Sequence, residues 1–352
     1  MLKKIFTIVG ARPQFIKAAA VSRAMRFQPE LKEFIIHTGQ HYDDNMSGIF
    51  FEQLGIPNPH HHFSFGGGSH GQMTGRMIEA LEKIFINEKP DAVLIYGDTN
   101  STLAGALAAA KIHIPVIHIE AGLRSYNKKM PEEINRIISD QISDILLCPT
   151  RSSVDNLLSE GITNGVHMVG DVMFDATLYA ISNNKGKKSE LDRLGIPKVP
   201  FALCTIHRAE NTNDVQRFNL LLDFLYTESK ERLIVLPLHP RTRKLMDGLN
   251  NIPEKLKLID PLNYFDLQLL LEHCNLVITD SGGLQKEAYF HQKPCITLRD
   301  ETEWTETIEA GWNRLWTSDE WIYPRKKIYD YGAGDSAAKC VDIIHEFLCK
   351  KR

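Results

Sequence analysis

The feature that most constrains the fold of this chain is an alternation of short apolar runs, rich in Val, Ile and Leu, with amphipathic stretches of helical length. Runs that are apolar throughout favour strands covered on both faces, as in the parallel sheets of α/β proteins. The predicted strands are 4–9, 33–37, 92–96, 116–119, 145–148, 167–169, 201–205, 233–238, 256–259, 276–279 and 294–298. No repeat with a period of about 20 to 50 residues is visible, which argues against a solenoid.

The stretches between these runs carry apolar side chains at a spacing near 3.6, which predicts helices over 15–25, 101–111, 132–142 and 283–290. A last helix is predicted over 336–348, with Ala338, Val341, Ile344 and Phe347 on its apolar face. The polar stretch 182–189 is typical of a surface loop close to a connection between domains. Because 352 residues exceed twice the ~150 typical of one domain, we expect two Rossmann-like domains facing one another.

The charge balance and the cysteines exclude several classes of protein. Lys and Arg total 41 against 44 Asp and Glu, so no global basic field attracts nucleic acid or anionic lipid. The longest apolar runs fall far short of the ~20 residues that cross a bilayer. None of the six cysteines forms a C-x-x-C pair, which favours buried free thiols in a reducing compartment. We therefore expect a cytoplasmic protein without nucleic-acid or membrane partners.

Polar residues follow many of the predicted strands at the point where each strand ends. In open parallel sheets, ligands bind at these carboxyl ends. A single polar residue there is usually a helix cap or part of a turn, but a set this large predicts a binding site. Its members are Arg12, Asp98, Glu120, Arg124, His207, His239, Arg241, Asp280, Ser281, Gly282 and Gly283.

The segment 279–288 predicts a strand, a tight Ser-Gly-Gly turn and the start of a helix. Gly282 and Gly283 let backbone N–H groups approach a ligand, and the helix N-terminus adds about half a positive charge, which suits a diphosphate. An ordinary helix cap at Ser281 is the alternative. Glu287, one helical turn further on, either reaches ribose hydroxyls or is solvated.

The first predicted strand is followed by Gly-Ala-Arg-Pro rather than by the dinucleotide fingerprint G-x-G-x-x-G, and the chain has no P-loop motif. Arg12 and Lys17 supply positive charge suited to phosphate oxygens, or are an ordinary solvated pair.

Three carboxylates come from the first half of the chain, those of Asp98, Glu120 and Glu132. The structural alternatives are a cap of the helix at Ser101 for Asp98 and a first-turn acid for Glu132. Glu120, between an apolar strand and a glycine turn, is harder to explain without a function. Acids gathered in one cleft have their proton affinities driven apart, as paired acid and base groups require.

Three adjacent histidines, His60, His61 and His62, invite a metal interpretation. Adjacent histidines do not converge easily on one ion, and Cys or acidic partners are missing nearby in the sequence. We therefore expect no metal site but a flexible surface loop, with glycines that would suit a lid.

Seven motifs stand in order between about residue 3 and about residue 312. They are GARP at 10–13, HTGQH at 37–41, GDT at 97–99, HIEAGLR at 118–124, PEEINR at 131–136, TIHRAEN at 205–211 and DSGGLQKE at 280–287. In these motifs the chain resembles the non-hydrolysing UDP-N-acetylglucosamine 2-epimerases.

The resemblance implies a GT-B-like fold with two Rossmann-like domains. Residues 1–170 and a returning C-terminal helix at 336–352 would form one domain, and residues 171–335 a UDP-binding domain. It implies a homodimer that uses no metal or redox cofactor. The implied reaction is reversible C2 inversion of a UDP-2-acetamido sugar, UDP-N-acetylglucosamine to UDP-N-acetylmannosamine, for surface polysaccharide precursors of the lipopolysaccharide or capsule kind.

The resemblance also implies roles for particular residues. In catalysis it implicates Asp98, Glu120, Glu132 and His207. In binding the substrate or its UDP it implicates Arg12, Lys17, Arg136, His239, Ser281, Gly282, Gly283 and Glu287. Arg241, from the strand-end set, is added to these as a further expected binding residue. Gln40, His41 and Arg76 match part of a site at which substrate activates some relatives, although Asp43 replaces a typical Gln there.

Several positions depart from the commonest family pattern. Gln14 replaces the usual Glu after Arg-Pro, Ala209 stands where a second Arg often follows His-Arg, and EWTET at 303–307 replaces Glu-Arg-Pro-Glu. With Gly-Trp-Asn at 311–313, these features resemble the branch acting on UDP-2,3-diacetamido-2,3-dideoxy-glucuronate, which is the alternative substrate. Further alternatives are a GT-B glycosyltransferase, which would not need three carboxylates around one sugar carbon, a hydrolysing epimerase and a non-catalytic nucleotide-sugar binder.

Overall fold

The computed structural model describes residues 2–40, 51, 54–184, 190–247 and 252–349. The chain divides into two compact units. Unit 1 comprises Met1–Ala176 and Tyr329–Arg352, and unit 2 comprises Thr177–Ile328. Each unit is built on its own parallel sheet, so the predicted α/β class with two parallel sheets is confirmed.

The described residues contain the following elements, numbered in chain order. The strands are β1 (Lys3–Val9), β2 (Leu31–His37), β3 (His61–His62), β4 (Ala92–Tyr96), β5 (Val116–Ile119), β6 (Ile145–Cys148), β7 (Val166–Met168), β8 (Phe201–Thr205), β9 (Leu233–Pro237), β10 (Leu256–Ile259), β11 (Leu276–Thr279), β12 (Cys295–Thr297) and β13 (Asn313–Leu315). The helices are α1 (Arg12–Met25), α2 (His70–Glu88), α3 (Asn100–Lys111), α4 (Pro131–Gln141), α5 (Arg151–Ser159), α6 (Val172–Asn184), α7 (Glu190–Arg193), α8 (Ala209–Thr212), α9 (Val215–Glu231), α10 (Pro240–Met246), α11 (Tyr264–His273), α12 (Gly282–Phe290), α13 (Thr305–Glu309) and α14 (Ser336–Cys349).

The sheet of unit 1 has the strand order β3-β2-β1-β4-β5-β6-β7, and that of unit 2 has the order β10-β9-β8-β11-β12-β13. Every pairing is parallel, for example Thr7 with Leu94 between β1 and β4. Phe6, Ile8 and Val93 are fully buried because helices cover the strands on both faces, as their apolar runs predict. In both sheets the order reverses beside the first strand of the unit, which is where open sheets bind ligands.

The predicted strands all appear, shifted by at most two residues at an end. Two short strands were not predicted. β13 has the sequence Asn-Arg-Leu and lies at a sheet edge, and β3 is the pair His61–His62, so neither carries an apolar run. The prediction of a flexible loop at the three histidines is therefore wrong for His61 and His62, which pair in parallel with Ile36 and His37.

The last helix, α14, forms where it was predicted and packs against α1. Its buried face differs from the prediction. Ala338 is exposed, and Ala337 and Cys340 are buried with Val341 and Ile344. The polar stretch 182–189 begins as the last turn of α6, and residues 185–189 lie outside the described part of the chain.

The six cysteines are free thiols, five of them buried and Cys349 partly exposed. Burial raises the pKa of the Cys274 thiol to about 12, which keeps it protonated and unreactive. In the described ranges, no helix has both the length and the apolar character needed to span a bilayer.

Candidate active site

The turn after β1 is closed by the side chain of Gln14. Its Oε1 accepts hydrogen bonds from the backbone N–H groups of Gly10 (2.8 Å) and Ala11 (3.1 Å). Its Nε2 donates to the Tyr96 carbonyl (2.9 Å) and to Thr102 Oγ1 (3.0 Å), which ties the turn to the end of β4. A glutamate carboxylate could not donate to that carbonyl, so the departure from the usual family residue has a structural role.

Lys17 and Glu120 form a buried ion pair between Nζ and Oε2, with each residue only 8% exposed. The alternative of a solvated Arg12–Lys17 pair is therefore wrong for Lys17, whereas Arg12 is half-buried as the first residue of α1. Glu120 follows β5 directly and has a φ of 68°, a left-handed conformation that non-glycine residues seldom adopt. Such a conformation persists where the surrounding structure holds it, and it is frequent at functional sites.

Asp98 follows β4 and is held by α4. The guanidinium of Arg136 donates to Asp98 Oδ2 from Nε (3.0 Å) and from Nη2 (2.6 Å), and Asn135 Nδ2 donates to the Asp98 carbonyl (2.9 Å). The alternative that Asp98 caps α3 is wrong, because Thr99 is the N-cap and accepts from the Thr102 N–H. The Asp98 side chain remains 31% exposed, so its carboxylate can reach a ligand.

Gly97 lies beside the Lys17–Glu120 ion pair and directly precedes Asp98, which pairs with Arg136. A Cβ placed on it would lie 3.0 Å from Glu120 Oε2 and 3.2 Å from Lys17 Nζ, and its φ of 60° also favours glycine. The structure therefore brings Lys17, Asp98, Glu120 and Arg136 together at the carboxyl ends of β4 and β5. Glu132 lies in the first turn of α4, half-buried.

Beneath Gly97 lies a buried histidine that the sequence analysis did not identify. His118, inside β5, is completely buried, with Nε2 2.7 Å from the Gly97 carbonyl and Nδ1 2.7 Å from Asp140 Oδ1. The Gly97 carbonyl and the Asp140 carboxylate are both acceptors, so each ring nitrogen of His118 faces an acceptor. A polar residue in the middle of an otherwise apolar strand is the signal that could have pointed to it.

Asp140 accepts two further hydrogen bonds. Its Oδ2 accepts from the Gly122 N–H (3.1 Å) and from Arg124 Nη1 (2.7 Å), and Arg124 in turn makes two 2.7 Å hydrogen bonds with Glu160. Burial opposes the charge on Asp140, but the His118 and Arg124 donors outweigh it and hold the pKa of Asp140 below its ordinary value. Arg124, predicted as a strand-end residue, thus belongs to a buried chain of alternating charges.

Glu133 orders the loop that precedes α4. Its Oε2 accepts from the Ser125 N–H and from Arg136 Nη1, both at 2.9 Å, and its Oε1 accepts from the Tyr126 N–H (2.9 Å). Burial would raise the pKa of Glu133, but these hydrogen bonds lower it below its ordinary value. Glu133 therefore fixes Arg136, which in turn holds Asp98; the sequence analysis singled out only its neighbour Glu132.

In unit 2 the strand ends of β8 and β11 are joined by Asp280. This buried carboxylate accepts from the backbone N–H groups of His207 and Arg208, both at 2.9 Å, and from Asn211 Nδ2 (3.1 Å). Its Oδ1 lies 3.2 Å from Nδ1 of His207, whose side chain is 40% exposed. Burial opposes the charge, but the His207 ring and the backbone donors hold the pKa of Asp280 below its ordinary value. Asp280 therefore orients His207.

His239, at the end of β9, is exposed, and its ring centroid lies 5.7 Å from that of His207. Arg241 lies in the first turn of α10. Both residues stand at the same carboxyl edge of the sheet as Asp280, because β9, β8 and β11 are neighbours in the strand order.

The turn between β11 and α12 has the predicted form. Ser281 is the N-cap, and its Oγ accepts from the Leu284 N–H at 3.4 Å. A Cβ on Gly282 would lie 2.4 Å from Glu303 Oε1, whereas a Cβ on Gly283 would meet nothing nearer than Ser281 Oγ at 4.0 Å. The helix N-terminus is thus accompanied by two residues without side chains, an arrangement that binds anions well.

Glu287, on α12, is 5% exposed, so the alternative that it is solvated is wrong. Gln268 Nε2 donates to Glu287 Oε1 (2.6 Å), and Gln268 Oε1 lies 2.8 Å from His291 Nε2. Burial lowers the pKa of His291 to about 4, so at neutral pH the ring is uncharged and donates to Gln268. This chain of hydrogen bonds holds the Glu287 carboxylate in place.

Of the three residues matched to an activating site, His41 lies outside the described residues. Gln40 Oε1 accepts from the N–H (3.0 Å) and the Oγ (2.8 Å) of Ser101, so it caps α3. Arg76, exposed on α2, donates to the carbonyls of Phe65 (3.3 Å) and Gly67 (2.8 Å).

An acidic partner for the histidine triplet, absent nearby in the sequence, comes from the end of α2. Glu88 Oε1 lies 2.5 Å from His61 Nε2, and Glu88 Oε2 lies 3.5 Å from His60 Nε2. The same carboxylate lies 3.9 Å from Lys4 Nζ, so a cation already neutralises it in part.

A protein-family model described as UDP-N-acetylglucosamine 2-epimerase matches residues 23–345 of the chain. The UDP-2,3-diacetamido-2,3-dideoxy-D-glucuronate 2-epimerase of Pseudomonas aeruginosa is 52% identical over 316 residues, which cover 89% of this chain and 88% of that protein. Among solved structures, the UDP-GlcNAc 2-epimerase of Methanocaldococcus jannaschii in complex with UDP-GlcNAc and UDP is 38% identical, with a TM-score of 0.87 over 97% of this chain and 99% of that one. The UDP-GlcNAc 2-epimerase of Neisseria meningitidis bound to UDP-GlcNAc is 30% identical, with a TM-score of 0.87 over 99% of this chain and 100% of that one.

Proposed function

The chain belongs to the UDP-N-acetylglucosamine 2-epimerase family, and from this premise we propose how its residues invert C2 of a UDP-2-acetamido sugar. The chain is thus an isomerase with a nucleotide-sugar substrate, as the sequence resemblance implied.

The chemistry defines what the site must supply. The C2–H of such a sugar is not next to a carbonyl, so simple deprotonation would leave an unstabilised carbanion. If the C1–O bond breaks and UDP departs with its electron pair, C1 becomes oxocarbenium-like and the C2 proton can be removed, which leaves a glycal. A proton then arrives at C2 on the opposite face and UDP adds back to C1. Two faces require two acid/base groups.

Asp98 and Glu120 are the proposed acid/base groups, with Glu132 in support. The observation that carries the proposal is that they stand at the ends of the neighbouring strands β4 and β5, on either side of Gly97, each beside one cation. The Lys17 ammonium stabilises the charge of Glu120 next to it, and each positioned acid or base contributes about 10²–10⁴ in rate.

The proposed diphosphate clamp is the strand-end set of unit 2. The N-terminus of α12 at Ser281, Gly282 and Gly283 offers backbone donors, and one such donor is worth about 3 kcal/mol to a developing anion. His207, oriented by Asp280, would donate to the departing diphosphate, together with His239 and Arg241. Arg12 would contact phosphate oxygens, and the fixed carboxylate of Glu287 would accept from ribose hydroxyls.

The proposed substrate is UDP-2,3-diacetamido-2,3-dideoxy-glucuronate. Its support is the 52% identity with the Pseudomonas aeruginosa enzyme named for that sugar. UDP-N-acetylglucosamine is the second candidate, supported by the two relatives whose structures contain it.

Proton NMR in D₂O tests both candidates, with each UDP-sugar incubated alone with the protein. We expect the diacetamido uronate to form its C2 epimer with deuterium at C2. Epimerisation of UDP-N-acetylglucosamine but not of the uronate would favour the second candidate. Release of a free sugar would indicate a hydrolase, and no change in either sugar would contradict the proposed reaction.

We also propose a cytoplasmic homodimer that serves surface polysaccharide synthesis. These properties are supported by the family resemblance. Light scattering should give twice the 40.0 kDa mass of one chain. Gln40, His41 and Arg76 match a substrate-activated site of some relatives only in part, since Asp43 replaces a typical Gln. Activation at these residues is tested by the dependence of rate on substrate concentration: a sigmoidal curve that Arg76→Gln makes hyperbolic would support it, and a hyperbolic wild-type curve would contradict it.

A further inference from the structure

A pocket with a volume of about 210 Å³ lies at the amino edge of the sheet of unit 2. Asn275 and Leu276, where β11 begins, and Pro294, just before β12, line it. His207 and Asp280 stand at the carboxyl ends of strands in the same sheet, so the pocket is at the opposite edge from them. It therefore takes no part in the site described above.

The walls of the pocket carry an excess of positive charge. Arg232, Arg314 and Arg325 line it, and Glu228 is its acidic residue, with Oε2 3.3 Å from Arg232 Nε. Arg314 has as its nearest carboxylate that of Asp319, 3.9 Å away and fully exposed. Within the described residues, no carboxylate lies within 4.0 Å of the Arg325 guanidinium. Two of the three cations are thus barely neutralised.

Arg314 is a buried cation with an unused donor. The residue is 7% exposed, and its Nη1 donates to the carbonyls of Leu315 and Ser318. Its Nε–H has no hydrogen-bond partner among the described residues. A buried donor without a partner is unfavourable, so a ligand oxygen that accepts from it would stabilise the complex.

Aromatic rings hold the two guanidinium groups in place. Arg325 lies 5.3 Å from the ring centroid of Trp312, 5.5 Å from that of Trp321 and 5.4 Å from that of Tyr323. Arg314 lies 5.4 Å from the Trp321 centroid. Because these stacking contacts already restrict the side chains, little conformational entropy remains to be lost on binding.

We propose that this pocket binds a monosaccharide that carries a phosphate or a carboxylate group. Guanidinium groups match the planar geometry of carboxylate and phosphate oxygens. The volume corresponds to about seven water molecules at roughly 30 Å³ each, which leaves room for a sugar ring beside the anion. Leu276 and Ile296 provide an apolar wall, and Asn275 an amide for the hydroxyls. This inference does not depend on the proposed substrate of the active site.

Calorimetry on the full chain tests the proposal, with glucose 6-phosphate, glucuronate and inorganic phosphate as separate probes. All titrations are run in the presence of saturating UDP, so that binding at the active site does not contribute. We expect one or both sugars to bind, more weakly as salt is added, and inorganic phosphate to bind at least about tenfold more weakly. Glucose 6-phosphate alone would identify the anion as phosphate, and glucuronate alone as carboxylate.

Three variants locate the binding. Arg325→Gln, on a half-buried side chain, and Arg314→Gln should each weaken it by about tenfold or more and leave turnover unchanged. Arg193→Gln removes the same charge from α7, where its Nη2 pairs with Asp266, and should have no effect. If Arg314→Gln does not fold, Arg325→Gln carries the test. The proposal is overturned if neither sugar binds, if inorganic phosphate binds as tightly as the sugars, or if Arg193→Gln weakens binding as much as Arg325→Gln.

Discussion

The two units arrange polar groups at their strand ends in opposite ways. In unit 1 the charges are buried and paired, as in Lys17 with Glu120 and His118 with Asp140. In unit 2 the buried charge of Asp280 supports the partly exposed ring of His207, and the turn at Gly282 carries no side chain. Pairing in a dry environment fixes the position of an ionised group, whereas open donors can receive an anion. This difference supports the proposal that unit 1 carries the proton transfers and that unit 2 binds the diphosphate.

The largest expected effect comes from removing a charge in unit 1. Glu120→Gln keeps the size of the side chain but cannot take a proton, so we expect kcat to fall by about 10³. UDP affinity, which is proposed to depend on unit 2, should change little. Turnover is followed by deuterium incorporation at C2.

Asp98→Asn should behave in the same way, and Glu79→Gln, on the exposed part of α2, is the control that removes a carboxylate without effect. Wild-type deuterium incorporation in both Glu120→Gln and Asp98→Asn would contradict the assignment.

A smaller effect is expected from His118, which supports the Gly97 carbonyl without facing the substrate. His118→Gln should lower kcat by about 10², because a displacement of about 1 Å at the neighbouring carboxylates is enough to cost that much. It should also destabilise the protein by about 1–3 kcal/mol, since Asp140 keeps Arg124 and the Gly122 N–H but loses one buried hydrogen-bond partner.

The double variant His118→Gln/Asp140→Asn separates these two effects. Replacing both partners should recover much of the unfolding free energy but not kcat, as measured by denaturant titration and steady-state kinetics. Recovery of kcat together with stability would mean that His118 serves folding alone.

In unit 2, a single added methyl group at the turn before α12 should weaken the binding of UDP. Gly282→Ala would place its Cβ against Glu303, which Arg299 Nη1 holds by a 2.8 Å hydrogen bond, so the turn must shift. We expect UDP affinity to fall by about tenfold, together with a lower melting temperature.

Gly283→Ala is the matched variant, since its Cβ has open space and the fold should tolerate it. If UDP approaches the backbone there, affinity falls by a similar factor while the melting temperature stays the same. Unchanged UDP affinity in Gly283→Ala would show that the turn does not hold the diphosphate.

The smallest effect is expected from Asp175, a buried carboxylate of unit 1 that, unlike Glu120, is not paired with a cation among the described residues. Asp175 accepts from the Ser336 N–H (3.3 Å) and the Ala337 N–H (2.9 Å), and no cation lies within 4.0 Å of it among the described residues. Burial, with a smaller contribution from Asp171 and Asp335, raises the pKa of Asp175 to about 6 from an ordinary value of 3.8.

Because the pKa of Asp175 is higher in the folded state than in the unfolded chain, its protonated carboxyl contributes to the free energy of unfolding at pH values below the unfolded pKa of 3.8. This contribution is lost as pH rises through the folded pKa of about 6. Between about pH 5 and about pH 7 the loss should be about 1 kcal/mol. Urea unfolding of wild type and Asp175→Asn at the two pH values measures it, because the variant lacks this dependence. Asp192→Asn, an exposed position, is the control and should keep the wild-type slope. An equal slope in wild type and Asp175→Asn would contradict the prediction.

Much of the fold could be predicted because apolar periodicity is a local signal. The runs of β4 and β6 are unbroken, and their bounds follow directly from the residues. β13 was missed because an edge strand of three residues carries no such run. On α14 a helical spacing was recognised but its phase was wrong at Ala338, since which side is buried depends on what α1 presents to it.

The candidate site was only partly predictable. Residues such as Asp98 and His207 could be predicted because they follow strands. The residues that hold them in place carry no comparable signal in the sequence. Arg136 was implied by the resemblance. Glu133 was given no role, and Asp280 was named in the strand-end set without a role of its own, because an acid inside a motif looks like an ordinary cap.

By itself, the sequence determined the α/β class and the positions of the strands, because burial on both faces imposes its pattern on each segment separately. It also determined which polar groups follow the strands. Only the tertiary structure decided how those groups pair. Lys17 and Glu120 are 103 residues apart in the chain, and they meet because only β4 lies between β1 and β5 in the sheet. Strand order is a property of the whole sheet, so no local pattern could have specified that ion pair.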